Sequence, residues 1–283
     1  MSKKRVGVIG TPISHTLSPR IHNYWMKKYG IEGNYEAIEV KKEELPEFIS
    51  SLKEKGFKGV NVTIPHKEAV IPLLDEVHVD AAAIGAVNTI VLEDGKTFGY
   101  NTDAQGFIAN VQETIPDADL FEQKVVVLGS GGAARAVCVS LLQEGAKILL
   151  ANRTMDRAQK LKAHLEKELS DYFGAGEASS ITLVDWEKRS DALQGAAMLV
   201  NTTSLGMKGS EELNIDLAKL PRDAIVADIV YNPLETGLLK MAKQKGNKTV
   251  DGLGMLLYQA EPAFYAWFGK RPEVSKELKE LFI

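Results

Sequence analysis

The sequence predicts an α/β protein of two domains, each built on a largely parallel sheet. Three observations predict it. Short β-branched runs alternate with helical patterns along most of the chain, which is the signature of successive βαβ units. The chain has 283 residues, more than a domain of common size holds. A glycine-rich turn at 129–134 opens a second alternating series, just after the acidic, proline-containing segment 115–123. That segment reads as a linker.

Taken in order, the first series has strands at 5–9, 35–40, 59–64, 87–92 and 97–100, rich in Val, Ile, Thr and Tyr. Helical patterns cover 18–29, 43–55, 66–74 and 104–115. The second series starts with the strand "KVVVLG" at 124, then the helix "GGAARAVCVSLLQEG", the strand "AKILLANR" and the helix "TMDRAQKLKAHLEKEL", whose charges share one face. Further strands are expected at 180–184, 197–201 and 224–228, and helices at 235–245, 251–267 and 273–282. The Gly- and Ser-containing stretch 174–180 reads as a surface loop.

Composition narrows the function. The chain is 45% hydrophobic and 25% charged, ordinary for a soluble globular protein. A net charge of −4 gives no footprint for nucleic acid or an anionic membrane. The single cysteine, Cys138, excludes a disulfide within the chain and fits a reducing compartment; it reads as a small buried side chain. "MSKKRVGVIG" starts basic, but its apolar run, Val6 to Ile9, meets Gly-Thr-Pro and reads as a first strand rather than a leader. The longest stretch without acidic or basic residues, 192–207, is too short and too polar to span a bilayer. A cytoplasmic protein is expected. The five histidines form no Cys/His/carboxylate constellation, so no metal is expected.

"VVVLGSGGAARA" places Gly129, Gly131 and Ala134 in a G-x-G-x-x-[G/A] pattern between an apolar strand and an amphipathic helix. In that context glycines let the backbone approach a pyrophosphate, and the helix N-terminus offers it free N–H groups. This half is therefore expected to be a Rossmann-type domain. An NAD site ends its second strand with Asp or Glu. Here that strand ends in Asn152, Arg153 and Thr154, with Arg157 one turn on. A guanidinium grips a dianionic 2′-phosphate with paired, charge-assisted bonds, so the expected cofactor is NADP. Thr154 also fits the N-cap of the following helix. "NTTSLGM" follows a later strand and is expected to bring Thr202, Thr203 and Met207 towards the cofactor.

Four polar clusters lie outside this unit: "SHTLSP" at 14–19, "NVTIPHK" at 61–67, "GAVNT" at 85–89 and "GYNTDAQGF" at 99–107. Loops after parallel strands collect at one edge, which would gather Thr16, Ser18, Thr63, Lys67, Asn88 and Asp103. Hydroxyls and amides suit a ligand rich in hydroxyls or bearing a carboxylate. One Lys and one Asp suit the proton transfer that accompanies hydride chemistry at a carbonyl. Lys67 in the first turn of a 66–74 helix would be disfavoured by the helix dipole, which points to a functional reason for it. Asp103 fits an N-cap of helix 104–115 equally well, and Thr16 and Ser18 fit caps of the helix opening at Pro19. His66 reads as structural.

Together "GTPISHTLSP", "NVTIPHK", "GAVNT", "GYNTDAQGF", "LGSGGAARA", "NRT", "NTTSLGM", "DIVYNPLET" and "DGLGMLLYQA" resemble the shikimate dehydrogenase family over essentially the whole chain. The resemblance implies a two-domain enzyme with its active site in the interdomain cleft. It would reduce 3-dehydroshikimate to shikimate with NADPH, on the route through chorismate to aromatic amino acids. It implies a substrate-binding catalytic domain of residues 1–103 plus 250–283 and an NADP domain of 104–249, in a monomer or homodimer. It makes Lys67 the catalytic lysine and Asp103 its partner, with Thr16, Ser18, Thr63, Asn88, Tyr231 and Gln259 holding substrate. It lines the cofactor site with Gly129, Ser130, Gly131, Gly132, Ala133, Asn152, Arg153, Thr154, Arg157, Ile229, Gly252 and Met255. One departure stands out: the family's Ser-x-Ser is Thr16-Leu17-Ser18 here. The extra methyl group crowds the carboxylate end of the pocket and leaves a quinate/shikimate or aminoshikimate dehydrogenase as the alternative. A nucleotide-binding regulatory homologue would have little reason to keep both Lys67 and Asp103.

Overall fold

The structure, a computed structural model, describes residues 4–173 and 180–282. The expected loop at 174–180 lies, Ser180 apart, outside the described residues. The chain divides into two compact units, Met1–Thr102 with Leu257–Ile283, and Asp103–Leu256.

The first unit contains β1 (Lys4–Gly10), α1 (Ser18–Lys28), β2 (Gly33–Glu39), α2 (Leu45–Ser50), β3 (Phe57–Val62), β4 (Glu76–Val77), α3 (Val79–Ile84), β5 (Thr89–Glu93) and β6 (Lys96–Tyr100). The sheet order is β2-β1-β3-β5-β6-β4. β1 runs parallel to β2 and β3, and β4 parallel to β6. β5 is antiparallel to both its neighbours. The chain reverses from β5 into β6 at the tight turn Asp94-Gly95, where both residues have positive φ (49° and 80°), as an Asp-Gly hairpin turn requires.

The direction of β5 decides where the polar clusters meet. Because β5 runs backwards, its beginning lies at the carboxyl edge of β3. β6 turns again, so its end reaches the same edge. "GAVNT" therefore joins the other three clusters by preceding an antiparallel strand, not by following a parallel one.

The expected helix at 66–74 does not form. Residues 67–70 are turns and 71–73 a single 3-10 turn. Pro72 lacks the N–H a helix would need there, and the residue before a proline is pushed out of the α region. Lys67 is thus in no helix, and the dipole argument for it falls. The expected 43–55 helix shrinks likewise to a 3-10 turn at Lys42–Glu44 and α2.

The second unit contains α4 (Asp103–Thr114), β7 (Lys124–Leu128), α5 (Gly132–Gln143), β8 (Lys147–Asn152), α6 (Met155–Phe173), β9 (Ile181–Asp185), β10 (Met198–Asn201), β11 (Ile225–Asp228), α7 (Gly237–Lys245), β12 (Lys248–Val250) and the start of α8 (Gly252–Phe268); α9 (Lys276–Glu280) follows in the first unit. Its sheet runs β12-β11-β10-β7-β8-β9 with every ladder parallel. Counted within the unit this is the order 6-5-4-1-2-3, the doubly wound arrangement whose ligand crevice opens where the order reverses, between β7 and β10. One core packs Val126, Leu128, Leu199 and Val226 against Leu238, Leu239 and Ala242 of α7.

In the first unit, Val60, Val62, Ile9 and Ile90 pack against Leu45, Phe48, Ile49 and Leu52. Gly59 and Asn61 point to the opposite face, as strand alternation demands. There Trp267 lies on the sheet, and its Nε1–H donates to the Ile90 carbonyl at 3.0 Å. A Cβ on Gly59 would sit 2.3 Å from that Nε1, so only glycine admits the indole. Around it His22, Trp25, Tyr35 and Phe264 form an aromatic cluster in which His22 stacks on Tyr35 at 4.2 Å.

His22 is fully buried, and neither ring nitrogen has a hydrogen-bond partner. Burial pushes its pKa from 6.5 down to about 3. The folded state holds a neutral ring, whereas the unfolded chain protonates below the ordinary value. Stability from this residue is therefore complete above pH 6.5 and is lost as pH falls towards 3. We predict that His22→Phe gains on the wild type by about 1.4 kcal/mol per pH unit in that window, after subtraction of the difference at pH 8. Urea unfolding at a series of pH values measures this, and parallel wild-type and variant curves would refute it.

Candidate active site

At the carboxyl edge of the first sheet, main-chain bonds set the frame. Thr63 N–H donates to the Ile9 carbonyl at 2.9 Å and Val62 N–H to the Asn88 carbonyl at 2.8 Å. Asn88 N–H donates to the Tyr100 carbonyl at 3.0 Å. Lys67 is held by its own backbone, since Val87 N–H donates to the Lys67 carbonyl at 2.8 Å. Beside it His66 is buried, with Nε2 at 2.6 Å from the Val40 carbonyl. His66 therefore anchors the loop, while Lys67 is only partly buried.

A buried polar network ties the remaining residues. Asn88 Nδ2 donates to Thr102 Oγ1 at 2.9 Å and to Gln259 Oε1 of α8 at 3.3 Å. Asn88 Oδ1 accepts from Thr102 N–H at 2.9 Å and from Thr89 Oγ1 at 3.1 Å. Asn61 Nδ2 donates to the Asn88 carbonyl and to Thr89 Oγ1, both at 3.0 Å, and Asn61 Oδ1 accepts from the Tyr35 hydroxyl at 2.7 Å. A paired amide in the interior is rigid, because each lost partner strands a buried polar atom. Asn61, Tyr35, Thr89 and Thr102 are absent from the sequence-derived set. Asn61 could have been found as an amide inside an otherwise apolar strand.

Thr16 and Ser18 lie after β1. The Thr16 hydroxyl is 3.3 Å from both Ser18 Oγ and Ser18 N. The N-cap of α1 is Leu17, with no side-chain cap, so neither hydroxyl fills that position. Asp103 is the buried first residue of α4, following Thr102 directly. Tyr231 stands after β11 in the second unit.

The second unit brings its own set together. Gly129 has φ 112°, and a Cβ there would meet Thr202 Oγ1 at 2.6 Å. The Thr202 hydroxyl donates to the Leu128 carbonyl at 2.6 Å. Thr202 and Thr203 are thus packed on the glycine-rich turn, across the point where strand order reverses. Gly131, the N-cap of α5, offers no capping side chain, and a Cβ on it would meet nothing within 4 Å. Gly132 and Ala133, the first residues of α5, follow this open position directly. Such a cradle fits a pyrophosphate.

On the neighbouring strand Asn152 Nδ2 donates to the Thr154 carbonyl at 2.8 Å, fixing the turn into α6. Arg153 and Arg157 are exposed and form no ion pair among the described residues. Two unspent guanidiniums where an acidic residue would mark NAD fit a 2′-phosphate. Met207 is 38% exposed on the 201–207 loop. Ile229 follows β11, and Gly252 opens α8 so close to it that a Cβ would meet the Ile229 carbonyl at 2.3 Å. Met255 is buried one turn on. Among the described residues no group of three or more His, Cys, Asp or Glu could hold a metal ion, and no helix is long and apolar enough to cross a membrane.

Comparison with known proteins agrees with this geometry. Family models match in three stretches: the shikimate dehydrogenase substrate binding domain at 8–90, shikimate / quinate 5-dehydrogenase at 110–185, and the shikimate 5′-dehydrogenase C-terminal domain at 252–276. The shikimate dehydrogenase (NADP(+)) of Azorhizobium caulinodans is 47% identical, over 99% of this chain and 96% of its own. The crystal structure of shikimate 5-dehydrogenase from Thermus thermophilus in complex with NADP(H) and shikimate is 36% identical, covers 95% of each chain and has a TM-score of 0.82. Quinate dehydrogenase from Corynebacterium glutamicum in complex with NAD is 33% identical, with a TM-score of 0.87 over 99% of this chain and 98% of its own. The chain belongs to the shikimate dehydrogenase family.

Proposed function

We propose that the chain catalyses the reversible, NADP-dependent reduction of 3-dehydroshikimate to shikimate, the step on the route to aromatic amino acids that its family performs. The observation that carries this reading is the position of Lys67, held by its main chain at the end of β3 beside the Asn88–Thr102–Gln259 network. The relatives named for shikimate and NADP support it.

The unit with Lys67 is the substrate-binding catalytic domain, and the unit with the glycine-rich turn is the NADP domain. The Lys67 ammonium gives its proton to the ketone oxygen as the alcohol forms, and in the oxidative direction the neutral amine takes the hydroxyl proton back. When bound, NADPH supplies the hydride to the carbonyl carbon. Asp103 orients the amine. Thr16 and Ser18 hold the substrate carboxylate, and Thr63, Asn88, Tyr231 and Gln259 hold its hydroxyls. Asn88 arrives with its amide already fixed, so binding need not freeze it. Arg153 and Arg157 take the 2′-phosphate, with Asn152 and Thr154 shaping their turn. Thr202, Thr203, Met207, Ile229, Gly252 and Met255 line the rest of the cofactor.

The test is to offer the protein shikimate or quinate, each with NADP or NAD, and follow reduced nicotinamide by absorbance. Fast turnover with shikimate and NADP is expected, and none with any pair would sink the reading. The methyl group of Thr16 is the one feature favouring a wider preference. Thr16→Ser is expected to raise the ratio of kcat/KM for shikimate over quinate, and an unchanged ratio would acquit Thr16. Lys67→Ala should lower kcat by about 10²–10⁴-fold with a KM for shikimate that moves far less; steady-state kinetics decide, and an unchanged kcat removes the role. Arg153→Ala should raise KM for NADP about tenfold and leave that for NAD where it was. Equal damage to both would mean that Arg153 does not read the 2′-phosphate.

A further inference from the structure

Asp228 ends β11 and is 2% exposed. Its Oδ1 accepts from Asn201 Nδ2 and from Val230 N–H, each at 3.0 Å. Its Oδ2 accepts from Thr236 Oγ1 at 2.7 Å. Asn201 ends β10 and is itself fully buried. Its Oδ1 accepts from Thr203 N–H at 3.1 Å and from the Thr203 hydroxyl at 2.7 Å. Its Nδ2 also donates to the Leu205 carbonyl at 3.1 Å. One carboxylate thus grips, through a single oxygen, both the 201–207 loop and the 229–236 loop.

These two loops hang from the second half of the doubly wound sheet. Such a sheet lays one mononucleotide over each half. The 2′-phosphate residues Arg153 and Arg157 follow β8, in the first half, so the nicotinamide nucleotide belongs over β10 and β11. Burial, opposed by the three donated bonds and aided by the nearby Glu212 carboxylate, pushes the Asp228 carboxyl up to about 6. At neutral pH a buried carboxylate therefore persists here although an apolar side chain would fill the space without that burden. Among the described residues Glu212 is the charged side chain acting on it.

We propose that Asp228 is a positioning residue for hydride transfer: by clamping the 201–207 and 229–236 loops together it sets the seat of the nicotinamide half of NADP. It touches neither substrate nor cofactor, and acts through Asn201, Thr203 and Val230. The proposal rests on the NADP reading above. An amide in its place keeps the geometry, because Oδ1 can still accept from Asn201 and Val230 while Nδ2 donates to the Thr236 hydroxyl.

The experiment compares wild type, Asp228→Ala and Asp228→Asn in shikimate oxidation, with shikimate binding to the cofactor-free enzyme measured by calorimetry. Wild type without NADP-linked turnover would overturn the underlying reading, not this one. Given an active wild type, Asp228→Ala should raise KM for NADP at least tenfold and lower kcat. The Kd for shikimate should stay within twofold, and Asp228→Asn should recover most of the loss. An alanine variant with KM for NADP within twofold of wild type would overturn the proposal. So would equal weakening of cofactor and shikimate, or an asparagine variant no better than alanine. Should the alanine variant fail to fold, Thr236→Val keeps the Oδ1 bonds of Asp228 and removes the Oδ2 tether, together with the cap that the Thr236 hydroxyl gives Leu239 N–H at the start of α7. It should raise KM for NADP about threefold, and an unchanged value would likewise overturn the proposal.

Discussion

The main-chain N–H and C=O of Asn88 are both spent on the ends of other strands, the first on Tyr100 at the end of β6 and the second on Val62 at the end of β3. Its side chain is spent as well, on Thr102, Thr89 and Gln259. This one residue therefore joins the ends of β3 and β6, the start of β5 and helix α8. The arrangement is possible only because β5 runs antiparallel to β3, the chain from Thr63 to Asn88 leaving and re-entering the sheet at the same edge. With β5 parallel to β3, Asn88 would lie at the opposite edge, a full strand length from Lys67. The antiparallel β5, with the Asp94-Gly95 hairpin that brings β6 back to the same edge, is the constraint from which the first unit's polar edge follows.

Much of this was legible in the sequence, though not always for the reason first given. The glycine-rich turn, the strand before it and the helix after it identify the doubly wound unit, and its strand order agrees. The expected gathering of Thr16, Thr63, Lys67 and Asn88 rests on strands that are parallel throughout, whereas β5 is antiparallel to both its neighbours. The Asp-Gly signal between two β-runs was present and is among the strongest short-range hairpin signals. Alternation of β and helical patterns overrode it. The short elements β4, α3 and β12 escaped because two- to six-residue pieces carry too little periodicity to register.

The expectation for Lys67 rests on a local picture that the structure corrects. The helix dipole that seemed to make a lysine costly at this point does not exist, since 67–70 are turns. What the structure supplies instead is a division of labour between neighbours. His66 enters the core and holds the Val40 carbonyl, and the Lys67 carbonyl takes the Val87 N–H. The backbone on both sides is fixed, while the Lys67 side chain stays only partly buried. A periodicity argument sees only that a polar pair follows a strand; which member is the anchor depends on partners some 20 residues away in sequence.

Three residues missed by sequence reasoning, Asn61, Asn201 and Asp228, share one position with Asn152, which it names. Asn61, Asn152, Asn201 and Asp228 each stand at or next to the end of a strand, where apolar side chains give way to the carboxyl edge. Three of them bond the chain two residues further on: Asn152 to the Thr154 carbonyl, Asn201 to Thr203 N–H and Asp228 to Val230 N–H. Short Asx side chains do this at turns because they mimic a backbone group. At these ends the turn is also where a ligand must meet rigid backbone. A loop left to solvent would sample many conformations, and each would have to be frozen on binding. By ending buried strands in Asn or Asp, the chain moves that ordering into folding, where the hydrophobic core offsets it. The same residue type that weakens a strand's interior is thus the one that makes its end a fixed platform for chemistry.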